Sequence, residues 1–133
     1  MTIGILLITH PGIGHALVAT ACGLLEDCPL RTRCLEVPRD VDLERLVAQA
    51  RHALAEVDDG SGVLVLTDAY GSTPSNIAHR IAADHQVAVI SGVNLPMLVR
   101  IFNYPAESLE NLARKAAEGG VRGIRLTTEE AAP

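Results

Sequence analysis

The chain has 133 residues, 48% of them hydrophobic, with 2% aromatic residues, no tryptophan and a formal net charge of −5. This length, without a break in composition, predicts a single domain with an aliphatic core. The negative net charge argues against a nucleic-acid partner, because no basic stripe is available to bind phosphates. The apolar N-terminal run is too short to span a membrane and lacks the features of a signal peptide, so we expect a cytoplasmic protein without membrane insertion.

The first half of the chain alternates strand and helix patterns. Residues 3–8 form a continuous apolar run, typical of a strand covered on both faces, that stops at Thr9-His10. Helical spacing of apolar residues starts at Leu17 and ends before Pro29, and residues 33–37 predict a weaker strand nearer the sheet edge. The clearest amphipathic helix follows, with an apolar face formed by Leu43, Leu46, Val47, Ala50, Leu54 and Val57.

The second half continues the alternation. Residues 63–66 predict a buried strand that ends at Thr67-Asp68, and Thr73 followed by proline is typical of a helix start. A fourth strand is expected at residues 87–90, and two helical patterns precede Gly119-Gly120. Residues 121–126 predict a last short strand. This order predicts βαβ units, right-handed crossovers and a mostly parallel sheet, which is an α/β fold.

Two polar residues follow buried strands of this predicted sheet. His10 ends the first strand and Asp68 ends the third. In an open α/β sheet, ligands bind in the crevice outside the carboxyl ends of the strands. A carboxylate that accepts the Nδ1 proton of an imidazole leaves Nε2 free as a nucleophile. Either residue alone is more often a simple strand end, but their joint placement favours a histidine–aspartate pair.

The segment Gly71-Ser72-Thr73 is a candidate anion site. Backbone N–H groups and a hydroxyl at a helix start attract a phosphoryl group, although an ordinary capped helix has the same pattern. Gly12 and Gly14 allow close approach of the backbone to a ligand, but they complete no dinucleotide fingerprint, and the chain has no phosphate-loop lysine motif. We therefore do not expect a nucleotide cofactor, and the residues suggest no other cofactor and no metal.

The remaining histidines, tyrosines and cysteines give weaker signals. Tyr70 is a plausible contact beside the site, and His15 has at most a minor role because it would begin the first helix. His52, His79 and His85 fall in predicted helix or loop surface and are assigned no function. The three cysteines are odd in number and lack the paired spacing of a zinc site, which predicts buried or unused thiols.

Three segments of the chain resemble the IIA component of the mannose-class sugar phosphotransferase system. They are residues 8–10, Ile-Thr-His; residues 62–76, from Gly-Val-Leu-Val-Leu-Thr-Asp to Pro-Ser-Asn; and residues 91–98, Ser-Gly-Val-Asn-Leu-Pro-Met-Leu. They recur in the family in this order and with similar separations. The resemblance covers about residues 2–126, and the three motifs are specific when taken together.

The resemblance implies a phosphocarrier. His10 would take a phosphoryl group from the phosphohistidine of the carrier protein HPr and pass it to a IIB component. Asp68 would orient His10 through Nδ1, and Gly71, Ser72 and Thr73 would contact the phosphoryl oxygens. The family implies a three-layer sandwich around four parallel strands. It also implies a homodimer in which a terminal antiparallel strand, here residues 121–126, crosses to the partner's sheet.

This sequence departs from the family pattern in two places. Pro11 stands where a glycine commonly follows the active histidine, and the chain ends soon after the predicted last strand. We therefore expect a family domain at residues 1–126, a flexible tail at 127–133 and a stand-alone component whose acceptor lies on another protein. Stand-alone members include proteins that act in regulation, so no sugar is assigned.

Two other functions are compatible with the residues. The chain could be a regulatory binding module whose partner distinguishes phosphorylated from free His10, since a phosphoryl group adds about −1.5 to −2 charge. A small metal-handling enzyme resembling a chelatase is the other alternative, but it needs a second histidine at a neighbouring strand end, where Asp68 and Asn94 stand. A nucleotidyltransferase is disfavoured because His10 and His15 lack the His-x-Gly-His spacing.

Overall fold

The computed structural model describes residues 1–83 and 86–128 and shows four strands and five helices in these ranges. The strands are β1 (Gly4–Thr9), β2 (Thr32–Glu36), β3 (Val63–Thr67) and β4 (Val87–Ser91). The helices are α1 (Gly14–Leu25), α2 (Leu43–Val57), α3 (Thr73–Ala82), α4 (Leu95–Phe102) and α5 (Leu109–Arg122). None of these helices combines the length and hydropathy that a membrane span needs.

The sheet is entirely parallel and has the strand order β2-β1-β3-β4. Each strand is connected to the next by at least one helix, as parallel pairing requires. The two central strands, β1 and β3, are fully buried. This arrangement confirms the predicted α/β fold with four parallel strands.

The core has one layer on each side of the sheet because successive strand residues face opposite sides. Ile5 and Leu7 of β1 pack with residues of α1, α4 and α5, whereas Leu6 and Ile8 pack with α2 and α3. The predicted apolar face of α2 is confirmed at Leu46, Val47, Ala50, Leu54 and Val57, which are at most 3% exposed. The sheet is thus the middle layer of a three-layer sandwich.

The prediction of a strand starting at Val121 is wrong, because Val121 and Arg122 continue α5. Gly119 and Gly120 do not end the helix; they let α5 approach α4 closely. A Cβ at Gly119 would lie 2.6 Å from Cβ of Arg100, and one at Gly120 would lie 2.9 Å from Cε of Met97. Residues 124–128 are exposed and form no strand in the single chain. Of the predicted tail, residues 129–133 lie outside the described residues.

The prediction of three unused thiols is also wrong, because Cys22 and Cys28 form a disulfide. Helix α1 ends at Leu25, and Glu26 adopts the left-handed conformation that turns the chain back. This turn brings the Cα atoms of Cys22 and Cys28 to 5.0 Å. Cys34 on β2 is a free, half-buried thiol, and its burial, with a smaller contribution from the charge of Glu36, raises its pKa to about 11.

Close packing between β1 and α2 gives a testable prediction. A Cβ at Gly4 would overlap the backbone carbonyl of Val57, so Gly4→Ala forces the strand and the helix apart. We expect the free energy of unfolding to fall by about 1–3 kcal/mol, as for other overpacked core positions. Urea unfolding followed by circular dichroism measures this change.

Gly23→Ala is the matched control. Gly23 lies within α1, and a Cβ at this position would meet no atom of a neighbouring element within 4 Å. Since alanine is a better helix former than glycine, the free energy of unfolding of this variant should rise by up to about 1 kcal/mol. A Gly4→Ala protein as stable as wild type would contradict the close approach of β1 and α2.

Candidate functional site

His10 and Asp68 are in contact at the carboxyl edge of the sheet. They directly follow β1 and β3, and the parallel register that pairs Ile8 with Thr67 brings the two strand ends together. Oδ2 of Asp68 lies 2.7 Å from Nδ1 of His10 and 2.9 Å from its backbone nitrogen. The carboxylate therefore fixes both the imidazole ring and the backbone from which the ring extends.

The charge of Asp68 determines which ring nitrogen carries the proton. Burial is the largest single influence on the pKa of Asp68, and it raises that pKa. The hydrogen bonds from His10, the charge of His10 and a local backbone hydrogen bond together outweigh burial, so the pKa of Asp68 is lowered overall. An ionised carboxylate only accepts hydrogen bonds, so Nδ1 of His10 must be the donor. Nε2 makes no hydrogen bond within the described residues, and in the neutral ring it carries the lone pair that acts as a nucleophile.

Glu36, the last residue of β2, holds the loop that follows His10. Its Oε1 accepts the backbone N–H of Gly12 at 2.9 Å, and its Oε2 accepts the backbone N–H of His15 at 3.1 Å. Nδ1 of His15 lies 3.0 Å from the same oxygen. The Gly12 bond, followed by those from His15, lowers the pKa of Glu36. One N–H group before α1 and one in its first turn are thus satisfied by a carboxylate of the chain itself.

Thr9 stabilises the same loop from inside the protein. Its buried hydroxyl donates to the carbonyl of His10 at 2.9 Å and accepts the N–H of Gly14 at 3.0 Å. A Cβ at Gly14 would lie only 3.0 Å from that hydroxyl oxygen, which explains a glycine there. Gly14 thus lets the loop pack against Thr9, whereas Gly12 adopts a positive φ of 84° and has open space where a Cβ would lie.

The loop after Asp68 leads to the start of α3. Oδ1 of Asp68 accepts the N–H of Ala69 at 3.0 Å, and the hydroxyl of Ser72 donates to the carbonyl of Ala69 at 2.5 Å. Gly71 adopts a positive φ of 83°, which a side chain disfavours. Ser72 is the N-cap residue of α3, but its side chain caps no helix N–H. The amides at this helix start therefore have no side-chain partner from Ser72.

His10 and Thr73 line one cleft of about 570 Å³. Gly71 and Ser72 belong to the turn beside it and are not part of its wall. Most of the residues that line it are apolar, and one of them, Arg39, is a cation. The lining residues are His10, Val37, Pro38, Arg39, Val41, Leu43, Leu46, Thr73 and Pro74.

The polar residues at the end of β4 and directly after it are used inside the fold. The hydroxyl of Thr67 donates to that of Ser91 at 3.0 Å. Asn94 caps α4 by accepting the N–H of Met97 at 3.0 Å, and its amide donates to the carbonyl of Gly120 at 3.0 Å. These contacts tie the end of the sheet to α4 and α5, and leave the cleft to the residues that follow β1, β2 and β3.

Tyr70 and His79 form a contact that the sequence did not indicate. The Tyr70 ring is 83% exposed and meets the His79 ring edge to face, with 6.1 Å between the centroids. Nδ1 of His79 lies 2.8 Å from the carbonyl of Ser75 on the same helix.

No group of three or more metal-ligating side chains occurs in residues 1–83 and 86–128.

The fold and the site together define the class of protein: an open parallel α/β sheet with an oriented imidazole at its carboxyl edge. Residues 4–117 match the family model EIIA-man, described as the PTS system fructose IIA component. The chain belongs to this family, the mannose-class IIA components of the phosphotransferase system (PTS). Membership implies phosphoryl transfer within that system.

Individual relatives agree with the family match. The chain is 35% identical over 140 aligned residues to the mannose-specific EIIAB component of Escherichia coli K12, and the alignment covers all of this chain but 43% of that protein's length. The mannose/sorbose-specific IIA subunit from Enterococcus faecalis has the same fold, with a TM-score of 0.85 at 22% identity and 96% coverage of both chains. A sigma-54 interaction domain protein from the same organism shares it with a TM-score of 0.77 at 14% identity, covering 93% of this chain and 94% of that one.

The contacts of Glu36 give a pH-dependent prediction. Since its folded-state pKa lies below the ordinary value of 4.5, the ionised carboxylate stabilises the fold above that pH. This stabilisation is lost as the pH falls through the lower, folded-state pKa. Glu36→Gln should therefore be less stable than wild type at pH 7, and the difference should shrink below pH 4.5. Urea unfolding at a series of pH values measures it.

Glu110→Gln provides the control for the loss of one carboxylate. Glu110 is 83% exposed and pairs with Arg114 on the surface of α5. Such exposed ion pairs contribute little to stability, so the free energy of unfolding of Glu110→Gln should equal that of wild type at every pH. A difference between wild type and Glu36→Gln that stays constant with pH would argue against the ionised contacts.

Proposed function

We propose that the chain is a phosphocarrier in which Nε2 of His10 receives a phosphoryl group from the phosphohistidine of an HPr-like donor. The 2.7 Å contact between His10 and the ionised Asp68 carries this proposal, because it sets the tautomer that a nucleophilic Nε2 requires. The family match supports the reaction class. His10 also lines an open cleft, which gives the phosphoryl group of a second protein a way to reach it.

The proposed reaction is a direct exchange between two imidazoles. The Nε2 lone pair forms a bond to phosphorus while the donor's P–N bond breaks, and the electron pair of that bond returns to the donor ring. Phosphorylated His10 carries positive charge on its ring because Nδ1 keeps its proton. The Asp68 carboxylate neutralises that charge at hydrogen-bond distance, so its attraction grows as the transfer proceeds.

We propose that Gly71, Ser72 and Thr73 bind the phosphoryl oxygens. The first N–H groups of a helix have no partner within the helix and carry a partial positive charge, which suits an anion. Thr73 lies at the start of α3 and lines the same cleft as His10. No metal and no cofactor enters the proposal, since positioning and charge stabilisation are the main needs of phosphoryl transfer.

The proposed acceptor is a IIB component, and the proposed location is the cytoplasm. The E. coli relative is named as an EIIAB component, and the chain spans less than half of it. A cleft open to solvent, with His10 at 48% side-chain exposure, suits successive contacts with a donor and an acceptor. Transfer to a regulatory target instead of a IIB component would use the same chemistry at His10.

Phosphorylation of His10 is tested with phosphoenolpyruvate, Enzyme I and HPr. Wild type should gain one acid-labile phosphoryl group per chain, and His10→Ala should gain none. Asp68→Asn should slow the transfer about 10- to 100-fold, because it removes one charge-assisted hydrogen bond of about 1.5–3 kcal/mol. Rapid-quench measurement of bound phosphate gives these rates.

Two other histidines serve as controls. His15→Ala and His79→Ala remove rings that contact Glu36 and Ser75, not Asp68, and both should remain substrates. Labelling of His10→Ala, or an Asp68→Asn protein as fast as wild type, would rule out the proposed nucleophile or its orientation.

We propose further that residues 1–126 form the functional domain of a homodimer, with residues 127–133 as a tail. In the single chain, Ile124 is 73% and Leu126 is 86% exposed, and neither lies in a strand. β4 is an edge of the sheet, and an open edge is a template for a further strand. An antiparallel strand from a partner would bury these side chains and cover that edge.

The dimer is tested by light scattering after size-exclusion chromatography. Wild type should have twice the mass of the chain, and a double variant Ile124→Asp with Leu126→Asp should shift toward the monomer, because the interface cannot bury two unpaired charges. Ala48→Asp, at an exposed position of α2, adds a charge elsewhere and should stay dimeric. A monomeric wild type at micromolar concentration would refute the proposal.

A further inference from the structure

Arg39 lies in the wall of the cleft that contains His10 and Thr73. It belongs to the loop between β2 and α2, at the carboxyl end of a strand that neighbours β1. Because β2 and β3 flank β1, the loop that carries Arg39 lies on the opposite side of the end of β1 from the loop that follows β3. No feature of the sequence pattern had indicated a role for Arg39.

The loop that carries Arg39 is fixed at both ends. The N–H of Val37 donates to the carbonyl of Thr9 at 2.8 Å, so the chain leaves β2 directly beside the residue before His10. At the other end, Asp42 is the N-cap of α2 and accepts the N–H of Glu44 at 3.2 Å. Arg39 therefore extends from a short segment that is tied to β1 by a backbone hydrogen bond at one end and to α2 by a side-chain cap at the other.

The guanidinium of Arg39 makes no ion pair and no hydrogen bond with any residue in the described parts of the chain. Four of the other arginines are engaged by carboxylates: Arg31 by Asp59, Arg33 by Glu56, Arg80 by Glu44 and Arg114 by Glu110. In a chain with a net charge of −5, an arginine that has no carboxylate partner and lines the same cleft as the candidate nucleophile is available for an external anion. Guanidinium groups bind phosphoryl oxygens with two parallel N–H bonds.

We propose that Arg39 is a further phosphoryl-binding residue, which contacts the phosphoryl oxygens during transfer and on phosphorylated His10. This inference rests on the proposed phosphocarrier function. The Asp68 carboxylate offsets the positive charge of the phosphorylated ring, and the Arg39 guanidinium offsets the negative charge of the phosphoryl oxygens. The two side chains therefore act on opposite ends of the new P–N bond. Arg39 takes no proton and forms no covalent bond; phosphorus moves from the donor nitrogen to Nε2 as described above.

The test compares a small donor with the protein donor. Phosphoramidate transfers its phosphoryl group to histidine and releases ammonia, and it has no protein surface to dock. Arg39→Gln should slow phosphorylation about 10- to 100-fold with both phosphoramidate and HPr, as expected for one lost charge-assisted contact. Arg39→Lys should retain an intermediate rate, because it keeps the charge but not the bidentate geometry.

A second measurement reports the contact directly. In ³¹P NMR, the phosphoryl group on His10 titrates with pH, and a nearby guanidinium favours its more negative form. Arg39→Gln should therefore raise the pKa of the phosphoryl group relative to wild type. Arg45→Gln is the matched control: Arg45 is exposed on α2, does not line the cleft, and should leave both the rates and the titration unchanged.

The outcomes separate this inference from the proposed function. If wild type is not phosphorylated on His10, the phosphocarrier function itself fails. If wild type is phosphorylated but Arg39→Gln matches it with phosphoramidate and in the ³¹P titration, the inference about Arg39 alone is overturned. A loss seen only with HPr would also overturn it, since Arg39 would then contact the donor protein and not the phosphoryl group. Circular dichroism melting of Arg39→Gln verifies that the fold is intact.

Discussion

The contact between His10 and Asp68 depends on the parallel register of β1 and β3. Pairing of Ile8 with Thr67 sets the height at which each strand ends, and Asp68 reaches both the ring and the backbone of His10 from there. A shift of the register by one residue would turn the alternating side chains to the opposite faces of the sheet. Since both faces of these strands are packed into the core, such a shift would require both layers of the core to repack. The core thus fixes the orientation of the imidazole.

Two carboxylates organise the two loops at this edge of the sheet. Asp68 binds the N–H groups of His10 and Ala69, and Glu36 binds those of Gly12 and His15. Each carboxylate satisfies backbone donors that no regular secondary structure would satisfy. The loop that follows His10 is therefore held from β2 on one side and from β3 on the other. This restraint lets an exposed histidine keep one orientation without being buried.

Residues with a local signal were predictable from the sequence, whereas residues whose role depends on a distant partner were not. His10 and Asp68 each follow an apolar run, so their meeting could be expected from the sheet alone. Glu36 gave no such signal, because its partners lie more than twenty residues away in the chain. Gly119 was misinterpreted as a helix end because its sequence neighbours do not reveal the close packing against Arg100.

A phosphocarrier has to bind its phosphoryl group without making it too stable to leave. Asp68 alone would favour the phosphorylated ring, because the ring gains positive charge when Nε2 bonds to phosphorus. A cation at the phosphoryl oxygens, the role proposed for Arg39, also lowers the energy of the transfer state, in which charge is spread over those oxygens. Since charge is spread over the same oxygens in the transfer from the donor and in the transfer to the acceptor, stabilising it speeds loading and unloading alike. Placing one charge at the ring and one at the oxygens therefore suits a site that passes its phosphoryl group on.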